Sequence, residues 1–209
     1  MIFKEDRYIY PPRIEKTFPR SGMDVFDNGL FMAQPKFNGD CCEMYIGGNN
    51  WKVMNRHKSL LTRSKIDKEE ISSILDNSGV NLIVGEYMNS SKKDENNNLF
   101  NNKLIIFDII VYNNDYLIGK TFQERIDIIN NMLTPVDEND YSYKITDNVY
   151  LTKTFYENFG VLWDSLVKID MIEGLVFKRK NAGLEIGTTK NNNTRSQLKC
   201  RKSNKNYIY

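Results

Sequence analysis

The sequence predicts an α+β fold in which antiparallel sheets predominate. Short strand-like runs recur along most of the chain, divided by Asn- and Gly-rich turn signals. A few helical segments interrupt them, two opened by a capping-box pattern. The most apolar run, Leu104-Ile105-Ile106-Phe107-Asp108-Ile109-Ile110-Val111, is rich in β-branched residues and suits a central strand.

Residues 1–29 hold Tyr8, Tyr10, Pro11, Pro12, Phe18, Pro19 and Gly22, a mix that reads as an irregular arm packed on the domain or covering a ligand. Residues 30–209 read as one domain. Leu30–Phe37 is its first strand. Pro35 fixes the backbone before Lys36, and Asn38-Gly39 after it tolerates the positive φ of a hairpin-type turn. Lys36 therefore sits on a rigid strand-to-turn element, although a lysine beside a turn is ordinarily just solvated. Cys41–Ile46, a Gly47-Gly48-Asn49-Asn50 turn and Trp51–Asn55 continue as a meander. Thr62-Arg63-Ser64 follows. Asp67, with Glu70 three residues on, opens a short helix whose face is Ile71, Ile74 and Leu75, stopped by Gly79. Val80–Met88 is a buried strand carrying Glu86 after Gly85, and Asn89–Asn102 is too polar to pack.

Lys103–Tyr112 is the central strand, with Asp108 set inside it. Asn113-Asn114-Asp115 turns into Tyr116–Ile118. Thr121 and Glu124 cap a second helix with Ile126, Ile129, Met132 and Leu133 on one face and Pro135 beyond its end. Asp137–Asp147 reads as a polar connection, Val149–Thr154 as a strand, and Phe155–Lys168 as a helix burying Phe159, Leu162, Trp163 and Leu166. Met171–Lys178 is a strand with an acid, Glu173, near its start and Lys178 at its end. After the Asn191-Asn192-Asn193 loop, Ser196–Lys202 alternates basic residues on one face.

With 209 residues the chain can bury a sizeable core, and its net charge of +2 conceals a basic end. Between Lys178 and Lys205, nine lysines and arginines stand against one acid, Glu185, which suits a phosphate-bearing partner. Three cysteines, two of them adjacent, make neither a disulfide framework nor, with His57, a zinc site. There is no signal-like h-region in Met1–Arg7 and no membrane-length apolar run. A soluble, cytoplasmic monomer is expected. The Asn-rich loops fit an A·T-rich genome such as that of a phage or low-G·C bacterium.

Six features then fall in a recognisable order: Lys36 in Lys-Phe-Asn-Gly, Thr62-Arg63-Ser64, Gly85-Glu86, Phe107-Asp108-Ile109, Glu173-Gly174-Leu175-Val176-Phe177-Lys178, and Leu198-Lys199-Cys200-Arg201. Together they resemble the covalent nucleotidyltransferases: ATP-dependent DNA and RNA ligases and mRNA capping enzymes. Glu124-Arg125 also falls where the ligase segment after the Phe-Asp strand has its match. The resemblance covers nearly all of the chain beyond the arm. It implies an antiparallel-sheet nucleotidyltransferase domain, the ATP-grasp-like adenylation domain of ligases, with ATP as substrate and Mg²⁺ or Mn²⁺ as the metal.

By this resemblance Lys36 attacks the α-phosphate to form a lysyl-AMP, which requires a neutral amine. Arg63, Lys178, Lys199 and Arg201 supply the field that favours neutrality and also neutralise phosphate oxygens. Glu86 and Glu173 are implied metal ligands, with Glu86 also touching the ribose. Phe107 takes the position that stacks on the purine, though its ring equally suits plain core packing. Asp108 reads as structural and Lys202 as a phosphate contact at most. Two features depart from the pattern. Gln34 stands where many ligases have an acid, so base choice stays open between ATP and GTP. The chain also ends at Tyr209, soon after the last motif, so no C-terminal OB domain is expected. The implied activity is an ATP-dependent polynucleotide ligase, with RNA preferred as partner because of Asn38 and the missing OB domain. A nicked-DNA ligase, a capping-type guanylyltransferase and a non-catalytic nucleic-acid-binding module are the alternatives.

Overall fold

The computed structural model describes residues 8–47, 50–75, 78–89 and 91–203. Met1–Arg7, the Gly48-Asn49 step of the expected turn, and Lys205 lie outside the described residues. In chain order the elements are β1 (Lys16–Thr17), a 3-10 helix (Arg20–Phe26), β2 (Phe31–Phe37), β3 (Asp40–Gly47), β4 (Asn50–Asn55), α1 (Lys68–Ile74), β5 (Asn81–Met88) and β6 (Lys103–Tyr112). There follow β7 (Asp115–Tyr116), α2 (Phe122–Met132), β8 (Asp137–Glu138), β9 (Ser142–Lys144), β10 (Val149–Thr152), α3 (Phe159–Leu166), β11 (Ile172–Arg179) and β12 (Gln197–Arg201).

Among the described residues the strands form two sheets: a four-stranded one ordered β1-β12-β11-β2, and an eight-stranded one running β4-β3-β5-β6-β10-β9-β8 with β7 on β6. Most pairings are antiparallel, as expected, but β10 joins β6 and β1 joins β12 in parallel. Strand β6 lies between β5 and β10 at the centre of the larger sheet. The smaller sheet has one apolar face. Leu175, Phe177, Leu198 and Cys200 pack there beneath the 3-10 helix and α3, with Phe177 meeting Phe18, Phe26 and Phe159 at ring distances of 5.1, 5.5 and 5.2 Å. Period-two alternation then turns Gln34, Lys36, Val176, Lys178, Lys199 and Arg201 to the opposite face, toward the larger sheet.

Several local expectations change. Asn38-Gly39 does not close a hairpin: β2 pairs with β11 and β3 with β5, so the turn carries the chain from one sheet to the other. Neither residue has a positive φ. Glycine is needed at 39 for space, since a Cβ there would lie 2.4 Å from the Tyr87 carbonyl oxygen. Asp67 caps α1 through the Glu69 amide, while Glu70 reaches away to Thr146 and Asn148, so no capping box forms. Thr121 and Glu124 do form one on α2. The polar stretch 137–147 folds into β8 and β9, because the Asn139 side chain accepts from the Tyr141 and Ser142 amides and sets a turn. Helix α3 starts at Phe159 because Phe155 is held in a two-hydrogen-bond bridge with Ala33 and Asn158 adopts the left-handed region. The arm, expected to be irregular, contributes β1 and the 3-10 helix.

Candidate active site

A cleft of about 940 Å³ opens between the polar face of the smaller sheet and strands β3, β5 and β6 of the larger. Two β-bulges shape it. On β11, Ile172 pairs with Phe37 and Gly174 with Lys36, which leaves Glu173 outside the ladder. On β6, Ile106 and Asp108 pair with the consecutive residues Gly85 and Val84, which leaves Phe107 outside. A bulge re-aims the extra residue, and here it frees Glu173 and the Phe107 carbonyl for contacts a regular strand denies them. Gly174 makes the first bulge possible: its φ is +153°, and a Cβ there would lie 2.0 Å from the Cys200 carbonyl oxygen.

Lys36 and Glu173 form an ion pair, their side chains only 17% and 18% exposed, and Arg201 approaches the same Glu173 oxygen at 3.4 Å. Glu86 accepts from the Gly39 amide at 3.0 Å, tying the sheet-crossing turn to β5. Burial pushes its carboxyl up to about 7, against the pull of Lys36 and of that amide. Lys178 is buried. Its ammonium lies 4.0 Å from the Phe122 ring centre and 5.1 Å from that of Phe107, and it donates to the Phe107 carbonyl at 3.4 Å. Burial lowers its pKa to about 7, with Arg125 adding to the effect and Asp108 opposing it. Lys199, lowered by burial and by Arg201 and Lys36, donates to the Ile14 carbonyl at 3.1 Å.

Asp108 lines the cleft from behind. Burial alone would raise its carboxyl, but a bidentate pair with Arg125, at 2.8 and 2.9 Å, holds it below the ordinary carboxylate range. The pair fastens α2 to β6 and sets the electrostatic background of Lys178. Gln34, also buried, donates from Nε2 to Thr154 Oγ1 at 3.1 Å and to the Phe107 carbonyl at 3.5 Å.

The cleft thus gathers Gln34, Lys36, Glu86, Phe107, Lys178, Lys199 and Arg201 among its lining residues, and Glu173 reaches it through its contact with Lys36. Arg63 is not among them: it is exposed in the loop before α1 and does not line the cleft. Arg56, in the turn after β4, lines the cleft instead. Its position at the end of the strand paired with β3 was the available signal, since β3 leaves directly from the Lys36 turn. Sequence reasoning also missed how fully Tyr10–Glu15 wall one side of the cleft. Lys202, expected at most to meet phosphate, donates to the Val167 and Ile169 carbonyls at the end of α3.

Two carboxylates, Glu86 and Glu173, stand near Lys36, and among the described residues no cluster of three or more His, Cys, Asp or Glu forms a closed metal cage. That donor set fits a magnesium-type ion, which takes one or two carboxylates and completes its shell with substrate phosphates and water. No helix among the described residues is long and apolar enough to cross a membrane.

No family model matches the sequence, and no curated protein matches it significantly. Solved structures do match by fold. The ligase domain of LigD from M. tuberculosis superposes with a TM-score of 0.63 at 13% identity, covering 95% of this chain and 61% of that one. A mycobacterial DNA ligase D complexed with ATP and MES gives 0.62 at 13% identity, covering 92% and 60%. A Lig E DNA ligase gives 0.56 at 14% identity, covering 91% and 68%. The chain spans about three fifths of the length of the two ligase D structures it matches. The two sheets facing across the lysine-bearing cleft share the fold of these DNA ligase structures.

Proposed function

We propose that the chain is a covalent nucleotidyltransferase that uses ATP to activate and seal polynucleotide ends. The observation that carries this reading is the convergence on Lys36, within one cleft, of two acids, three further cations and the Phe107 ring. A binding module has no need of Glu86 and Glu173 held against a lysine. In the first step Lys36 Nζ bonds to the α-phosphorus of ATP, the bond from that phosphorus to the β-phosphate bridging oxygen breaks, and pyrophosphate leaves. Glu173, in contact with Nζ, is positioned to take the amine's proton. Lys178, Lys199 and Arg201 neutralise phosphate oxygens as charge shifts to the leaving group. A divalent metal held by Glu86 and Glu173 would add charge neutralisation on the triphosphate. In the later steps an oxygen of a 5′-phosphate end displaces Lys36 from the nucleotide, and a 3′-hydroxyl then displaces AMP.

Lys-Phe-Asn-Gly, with Asn38, favours RNA ends as the substrate; the DNA ligases among the structural neighbours favour the nicked-DNA alternative. Incubation with α-labelled ATP or GTP and magnesium, followed by denaturing electrophoresis, tests the first step. Label from ATP should stay on the protein and vanish in Lys36→Ala. Label from GTP alone would favour a capping-type guanylyltransferase, and no label from either would favour a non-catalytic module. Offering the charged protein nicked DNA, nicked RNA and single-stranded RNA then reads the acceptor.

A further inference from the structure

We infer that the mouth of the cleft is a second phosphate site, formed by Arg13, Arg56 and Lys58, which takes the pyrophosphate end of a nucleoside triphosphate. This rests on the proposed nucleotidyl transfer and names where its leaving group is held.

Two segments build it. The turn after β4 is fixed by Asn55, whose side chain accepts from the His57 and Ser59 amides at 2.9 and 3.1 Å and whose own amide donates to the Ser59 carbonyl at 2.8 Å. The arm is tied beside it: the Tyr8 hydroxyl donates to the Asn55 carbonyl at 3.2 Å, and the Tyr10 and Arg13 amides donate to the Gly187 and Asn192 carbonyls, each at 2.9 Å. Arg13, from the arm, and Arg56 and Lys58, from the turn, all line the cleft while remaining exposed. Opposing charge is sparse. Glu15 lies 3.6 Å from Arg13, Arg56 Nε donates to His57 Nε2 at 3.3 Å, and among the described residues no carboxylate pairs with Arg56 or Lys58.

Lys58 is held with particular care. Its φ is +66°, a left-handed conformation that a lysine adopts only at a cost. Its ammonium stands 4.6 Å from the Tyr10 ring centre and 5.4 Å from that of Tyr8, and the two rings meet edge to face at 5.0 Å. The rings fix the charge at the mouth without neutralising it, as a carboxylate would. Lys199 links this mouth to the reacting lysine. It donates to the Ile14 carbonyl, next to Arg13, and both Lys36 and Arg56 lie within electrostatic reach of it. In-line displacement at the α-phosphorus puts the departing oxygen opposite Lys36 Nζ. The β- and γ-phosphates therefore run away from Lys36, past Lys199, to the charges at the mouth.

The test measures the affinity of the full chain for inorganic pyrophosphate with magnesium by calorimetry, beside labelling by ATP. Arg56→Gln and Lys58→Asn should each weaken pyrophosphate about fivefold, the upper range for one exposed charge, and raise the ATP concentration for half-maximal labelling by a similar factor. Asparagine suits the left-handed turn, so Lys58→Asn removes the charge without adding strain. Inhibition of labelling by AMP, which has no pyrophosphate end, should stay at the wild-type level in both. Lys52→Gln, which removes an exposed charge on β4 outside the cleft, should change nothing. Thermal melting confirms folding, and if one variant does not fold the other supplies the comparison. Pyrophosphate that binds wild type and both variants alike, that fails to bind wild type, or that is weakened as much by Lys52→Gln overturns the inference, while labelling by ATP leaves nucleotidyl transfer intact. Variants that keep pyrophosphate but pass AMP to polynucleotide ends more slowly also overturn it, and assign the mouth to the polynucleotide. Wild type that ATP does not label removes the underlying function, and this inference with it.

Discussion

At the scale of single residues, the site depends on charges held where water cannot reach them. Glu43 shows this outside the chemistry: it is buried on β3 against the Tyr8 hydroxyl, and burial pushes its carboxyl up to about 8. A raised folded-state value means that its contribution to stability is complete below the unfolded carboxylate range and is lost as pH rises through about 8. Glu43→Gln should therefore gain melting temperature relative to wild type between about pH 5 and 9, at about 2–4 °C for each kcal/mol. A pH-independent difference would show that Glu43 is not titrating there. Lys36, Glu86, Phe107, Glu173, Lys178 and Lys199 could be picked from the sequence because each lies in a short strand motif, and the order of those motifs carries the resemblance. Arg56 offered only a weaker signal, its place at the end of the hairpin strand, because Arg63 follows the same hairpin. Which one faces the cleft depends on where the strand ends, which local sequence does not determine.

At the scale of elements, strand periodicity made the polar face of the smaller sheet readable, but the two bulges were not. A bulge is a mismatch between paired strands, visible only once the partner and its register are known. The same limit hid the true role of Gly39, whose constraint comes from Tyr87 on another strand. Arg125→Ala leaves Asp108 as an unpaired buried carboxylate and should cost about 3–5 kcal/mol in chemical denaturation; a loss below about 1 kcal/mol would mean that the pair does not anchor α2. Gly174→Ala must move either the bulge or Cys200, so it should slow lysyl-nucleotide formation even at temperatures where the variant remains folded. Labelling at the wild-type rate would show that Glu173 does not depend on the bulge.

At the scale of the whole molecule, α+β with mainly antiparallel sheets was legible from the alternation and the turns. The partition into two sheets was not, because the Asn38-Gly39 step resembles a hairpin in sequence yet crosses between sheets in space. The basic end divides likewise: Lys199 and Arg201 turn into the cleft and Lys202 is spent on α3, while Lys190, at the edge of the cleft, and Arg195 are exposed. If that rim meets a polynucleotide backbone, neutralising Lys190 and Arg195 together should reduce the slope of log affinity against log salt by about 0.9 per lost phosphate contact on duplex DNA. An unchanged slope would put the nucleic acid elsewhere. All of this rests on Lys36 as the covalent carrier. The most direct measurement is to charge the protein with ATP and magnesium, digest it, and locate the nucleotide by peptide mass spectrometry. AMP is expected on Lys36 and on no other lysine. A protein that stays unmodified, or a nucleotide found on Lys178 or Lys199 instead, would contradict it.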